Sequence, residues 1–152
     1  MSDELKDLYR ELILDHSRSP RHFGKLADAT HTAAGINPLC GDKLHLYLRV
    51  DEQQIITAAT FEGTGCAISV ASASLLTEMV IGKSCEQALE LFRATTEHLT
   101  AASSDTGLDV DLGKIRALEG VREFPARVKC ATLPWHALHS AFNKQATPVS
   151  TE

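Results

Sequence analysis

Apolar residues recur in the first segment at Leu5, Leu8, Tyr9, Leu12 and Ile13. That three-to-four spacing predicts an amphipathic helix over residues 3–16. "SRSPRHFG" stops it, with Pro20 and Gly24 as breakers. Further on, the period changes to two. In "KLHLYLRV", Leu44, Leu46, Leu48 and Val50 alternate with His45, Tyr47 and Arg49. This predicts a half-buried strand with the leucines facing the core and His45 facing away. "DEQQ" is a polar connection, and "IITAATF" reads as the second arm of a hairpin. "THTAAGIN" predicts a third, weaker strand.

The second half loses this alternation. From Cys66 to Ile81 the chain is rich in Ala, Ser and Leu, with no breaker before Gly82. We read a buried helix ended by a glycine just past its last turn. Ser84 and Gln87 have the spacing of a capping box for a helix from Cys85 to about Leu99. "TAASSDTG" reads as a loop, and Leu112, Ile115 and Leu118 predict a short helix over 112–119. Pro134 suits the first turn of a last helix, with Trp135, Leu138 and Phe142 on one stripe. Residues 144–152 read as a frayed, flexible tail. Strands first and helices afterwards predict an α+β fold. A length of 152 residues predicts a single domain, 1–152.

Composition narrows the function classes. The chain is 43% hydrophobic and 23% charged, with a net charge of −5. An acidic chain argues against nucleic acid as a partner. No stretch reaches the roughly 20 apolar residues of a membrane span. The N-terminus lacks the basic and apolar regions of a secretory signal, so the expected compartment is the cytoplasm. There, four cysteines read as metal or redox chemistry before they read as disulfides.

Three of those cysteines have telling surroundings. Cys40 lies in the loop "NPLCGDK", followed by Asp42; Cys66 follows "EGTG"; Cys130 precedes "ATLPW". The element pattern puts Cys66 and Cys130 at helix starts, where exposed N–H groups favour thiolate. Arg127 and Lys129 push Cys130 the same way. With Asp42, three thiolates would complete the four ligands of a tetrahedral zinc site. The spacing lacks the short Cys-x-x-Cys pairs of zinc modules, so on the cysteines alone three unrelated core cysteines remain the plainer reading. Cys85, at the start of an amphipathic helix, reads as a packing residue. His136 and His139 are three apart on one helix, and read as surface histidines. "DTGLDVDLG" lacks the pattern of a calcium loop and reads as a solvated loop. His16 reads as a helix-end packing or capping residue.

"LYRELILDHSRSPRHFG", "NPLCGD", "FEGTGCAISVASASLLTEMVIGKS" and "RVKCATLPWHAL" together resemble the U-type iron–sulfur scaffold family, from about Leu8 to Leu138. The resemblance implies a three-stranded antiparallel sheet packed by helices. It also implies that Cys40, Asp42, Cys66 and Cys130 are the metal ligands. Within the family, Lys129 stands where IscU-type scaffolds carry a histidine, and "FPARV" stands where they carry a chaperone-recognition motif. The long segment between Cys66 and Cys130 resembles a SufU-type insertion. The implied function is that of a zinc-dependent sulfurtransferase, which accepts persulfide sulfur from a PLP-dependent cysteine desulfurase of the SufS kind and serves downstream iron–sulfur assembly proteins. The alternative is a scaffold that carries a transient iron–sulfur cluster on Cys40, Cys66 and Cys130. Cys40 is the expected sulfur acceptor: Gly41 lets its loop swing at low cost, Asp42 can stay behind as an anchor, and SufU-type relatives use the matching cysteine.

Overall fold

A computed structural model describes residues 3–100, 112–143 and 149–151. The elements run in the order α1 (Asp3–Arg18), β1 (His31–Asn37), β2 (Asp42–Val50), β3 (Ile56–Thr64), α2 (Ala67–Val80) and α3 (Cys85–Thr100). A 3-10 helix (Gly113–Glu123), α4 (Pro125–Phe142) and a two-residue strand β4 (Val149–Ser150) follow. β1, β2 and β3 form the expected antiparallel meander, and β4 extends it in the order β3-β2-β1-β4. The alternation in β2 survives intact: Leu44, Leu46, Leu48 and Val50 are buried, and His45 is exposed. The hairpin joining β2 to β3 is held by Asp51, whose carboxylate accepts the N–H groups of Gln53 and Ile55, both at 2.9 Å.

Helices α2 and α4 pack against the apolar side of the sheet and against each other. The core between them includes Leu46, Leu48, Phe61, Leu75, Leu76, Leu133 and Trp135, all buried. Full burial of one such side chain is worth roughly 1.5–3 kcal/mol. α2 is rich in small residues and buries three serines, Ser69, Ser72 and Ser74. Ser72 donates to the Ala131 carbonyl at 2.6 Å and accepts the Trp135 indole N–H at 3.2 Å, tying α2 to α4. The capping box also forms: Ser84 N–H donates to Gln87 Oε1 at 3.0 Å, and Gln87 N–H to Ser84 Oγ at 3.1 Å.

Three expectations are corrected. The last helix starts at Pro125, nine residues before Pro134, which sits inside it. The short helix expected over 112–119 runs on to Glu123 and winds as a 3-10 helix. The tail is not loose throughout: β4 pairs parallel with β1, and Thr151 N–H donates to the Ile36 carbonyl at 3.1 Å. The physical reason is that β1 is the open edge of the meander, with unpaired backbone groups that a passing segment can satisfy. Most of "DTGLDVDLG" lies outside the described residues.

Candidate metal centre

The four sequence-predicted ligands come from three places on the chain. β1 and β2 are joined by a tight turn in which Cys40 N–H donates to the Asn37 carbonyl at 3.2 Å. Gly41 follows at φ +72°, the left-handed region where a side chain is strained. This turn leaves Cys40 exposed and starts β2 at Asp42, which is buried and paired in register with Asn37. β3 then delivers the chain to α2, with Cys66 at its N-cap. α4 brings in Cys130, which is buried.

These residues converge. One ligand atom each from Cys40, Asp42 and Cys130 lies within 4.8 Å of the others. Cys66 stands at the edge of that group, its Sγ 3.9 Å from Asp42 Oδ2. The other carboxylate oxygen, Oδ1, accepts the Cys66 N–H at 2.8 Å and so caps α2. Gly65 makes room for it, since a Cβ there would stand 2.5 Å from Oδ1. Gly63 likewise leaves space for its neighbour, since a Cβ on it would meet the Lys43 carbonyl at 2.1 Å.

Cys66 sits at a helix start as the sequence predicts, and Cys130 does not. Cys130 lies in the second turn of α4, and its thiol donates to the Ala126 carbonyl at 3.5 Å. Burial pushes its thiol pKa up, and hydrogen bonds with Cys40, Asp42 and Cys66 push the same way. That is opposite to the depression expected from a helix N-terminus. A cation among these groups would reverse the sign, because a coordinated thiol is deprotonated outright. The donors present, three thiols and one carboxylate, are a set that tetrahedral zinc accepts.

Asn37 is a neighbour that the sequence pattern does not single out. It is fully buried. Its Nδ2 donates to Asp42 Oδ2 at 3.4 Å and to Cys130 Sγ at 3.5 Å, while its Oδ1 has no hydrogen-bond partner among the described residues. An Asn before Pro reads as a turn residue, and only its register opposite Asp42 could have shown more.

The remaining candidates stay outside the centre. Cys85 is half-buried against the core, and burial raises its thiol pKa. His136 and His139 both contact the ring of Phe92, edge-on at 5.5 Å and stacked at 4.9 Å respectively. His16 is buried and shares a 2.6 Å hydrogen bond with Ser74 Oγ, which joins α1 to α2. Arg127 lies 4.3 Å over the ring of Phe124.

Residues 8–131 match the family described as NifU-like N terminal domain. A zinc-dependent sulfurtransferase SufU of Bacillus subtilis is 43% identical over 141 residues, which cover 93% of each chain. An iron–sulfur cluster assembly scaffold protein IscU of Streptococcus pyogenes is 41% identical and covers 94% of this chain and 87% of its own. A crystal structure described as a putative iron–sulfur cluster assembly scaffold protein for the SUF system, from Fervidobacterium islandicum, superposes with a TM-score of 0.79 at 35% identity. It covers 92% of this chain and 98% of its own. Among the described residues, no helix is long and apolar enough to cross a membrane.

Proposed function

This chain belongs to the family of NifU-like N-terminal domains, and we propose that it works as a zinc-dependent sulfurtransferase. It takes persulfide sulfur from a PLP-dependent cysteine desulfurase and passes it towards iron–sulfur cluster assembly. The observation that carries this reading is the meeting of exposed Cys40 with buried Asp42 and Cys130 within 4.8 Å. The name of the SufU relative supports it, and that of the IscU relative supports a place in iron–sulfur cluster assembly. Four free cysteines suit a reducing, cytoplasmic setting.

Cys40, Asp42, Cys66 and Cys130 would hold the zinc. When bound, the metal keeps thiols ionised at neutral pH and ties turn, sheet and helices together. The chain's own residues divide the rest. Asp42 is fixed by the Cys66 N–H and Cys130 by burial in α4. Cys40 is the ligand with freedom to meet a partner. Its thiolate attacks the terminal sulfur of the donor's persulfide. A new sulfur–sulfur bond forms on Cys40, the donor's own sulfur–sulfur bond breaks, and the donor cysteine leaves as thiolate.

The test is anaerobic incubation with the desulfurase and cysteine, then digestion and location of the added mass. We expect one extra sulfur on Cys40. A persulfide mainly on Cys66 or Cys130, or full transfer by Cys40→Ala, would refute the assignment. The same preparation separates the second reading. Colourless protein with one zinc supports sulfur transfer, whereas brown protein with iron and sulfide supports a cluster scaffold on the three cysteines. Lys129, in place of the histidine of IscU-type scaffolds, counts against the latter. Zinc should also hold the fold: Cys66→Ser should lose metal and melt at a lower temperature. Structural zinc sites contribute about 10–16 kcal/mol in small peptides.

A further inference from the structure

We propose that Asn37 is a positioning residue: its side-chain amide fixes Asp42 and Cys130 as the stationary half of the metal centre, so that Cys40 alone moves. The inference rests on the ligand set proposed above. One NH₂ group spans two ligand atoms, Asp42 Oδ2 at 3.4 Å and Cys130 Sγ at 3.5 Å. The sulfur contact has an ordinary length for so large an atom, and the oxygen contact is a long hydrogen bond, each taking one of the two amide protons. The orientation follows from chemistry. Turning the amide over would set its oxygen against a carboxylate and a thiolate, all acceptors.

The cost of this arrangement points the same way. Asn37 Oδ1 is buried without a hydrogen-bond partner among the described residues. An apolar residue of the same size would avoid that penalty. The position therefore keeps an amide for its two donors. Meanwhile the Asn37 carbonyl accepts the Cys40 N–H at 3.2 Å, so the residue also hinges the turn that carries Cys40. Groups that hydrogen-bond to metal ligands hold them in place, and losing one typically costs about 10–100-fold in metal affinity.

Two variants and one wild-type measurement test this. Asn37→Leu keeps the branched shape, with bulkier methyl ends, and removes both donors. It should bind zinc about 10–100-fold more weakly in a chelator competition. Its cobalt-substituted form should show shifted ligand-field and thiolate charge-transfer bands, while the metal-free protein unfolds at nearly the wild-type denaturant concentration. Asn37→Asp keeps the shape and replaces the donors with an anion, and should weaken zinc at least as much. Zinc affinity within threefold of wild type and an unchanged cobalt spectrum, in either variant that folds, would overturn the proposal. In the wild type, the Asn37 side-chain amide resonances should move and gain exchange protection on zinc loading. Resonances that do not respond would overturn it whatever the variants do. A wild-type protein that takes up no zinc would instead refute the ligand set.

Discussion

Asp42 gives its two oxygens different partners: Oδ1 accepts the Cys66 N–H, and Oδ2 faces the Cys66 thiol and the Asn37 amide. One residue thereby caps α2 and lines the proposed metal centre, and both roles depend on Gly65 having no side chain. In Gly65→Ala the new Cβ would stand 2.5 Å from Asp42 Oδ1 and 2.6 Å from Ser69 Oγ. We expect a stability loss of about 1–3 kcal/mol and substoichiometric zinc, read by denaturant unfolding and elemental analysis. Full zinc and wild-type stability would show that the carboxylate is not held where the structure puts it. Cys85 is the contrasting case, packed against the core and away from the centre. Cys85→Ala should keep one zinc and sulfur transfer, with a loss of about 1 kcal/mol or less. Loss of metal from folded Cys85→Ala would mean that the wrong cysteines had been chosen.

At the scale of elements, local chemistry decides what a sequence reveals. The β2 alternation and the Ser84–Gln87 capping box were legible because neighbours in sequence make the contacts. The box formed with 3.0 and 3.1 Å bonds. Ser84→Ala should cost about 0.5–2 kcal/mol without changing metal content, as urea titration beside elemental analysis can show. α4 was not legible. Pro134 looks like a helix start, yet Pro125 takes that place. Pro134 does remove the N–H that would serve the Cys130 carbonyl. Burial of Cys130, Ala131, Leu133, Trp135 and Leu138 along the same helix outweighs that loss. Such long-range burial has no signature in a local window. The ligand set shares this divide. Cys40 and Asp42 are visible as a loop motif, but nothing in the spacing of Cys66 and Cys130 brings them there. The family resemblance implies it, and β2, α2 and α4 bring Asp42, Cys66 and Cys130 near one another.

Across the whole molecule, two buried histidines join elements and set how stability responds to acid. His16 lies between α1 and α2, with Nδ1 2.6 Å from Ser74 Oγ. Burial lowers its pKa, Arg21 adds to that, and Glu78, 3.4 Å from Nε2, pulls the other way. His98 links α3 to the 3-10 helix. Arg122 donates to its carbonyl at 2.6 Å and to Nδ1 at 3.0 Å, leaving Nε2–H to donate to Glu119 at 2.7 Å. That arrangement fits only the neutral ring. Burial again leads in lowering its pKa, ahead of the opposing Glu119 bond.

The sign of the pH effect follows from those two depressions. Below the unfolded-state histidine pKa of about 6.5, the unfolded chain binds protons that the native chain refuses. Stability from both sites is therefore complete above about pH 6.5 and falls as pH drops through it. Each histidine held neutral contributes a slope of up to about 1.4 kcal/mol per pH unit. Metal binding has its own proton dependence, so the measurement belongs on zinc-free protein kept in chelator. Urea unfolding at pH 7.5, 6.5 and 5.5 should show little change over the first step and a clear loss over the second. His98→Gln should start from lower stability but lose less of it between pH 6.5 and 5.5, because one of the refused protons is gone while those of His16 and half-buried His136 remain. A wild-type profile that is flat below pH 6.5, or a variant as steep as the wild type, would mean that these rings accept their protons in place and that the α1–α2 and α3–3-10 joints do not depend on neutral histidine.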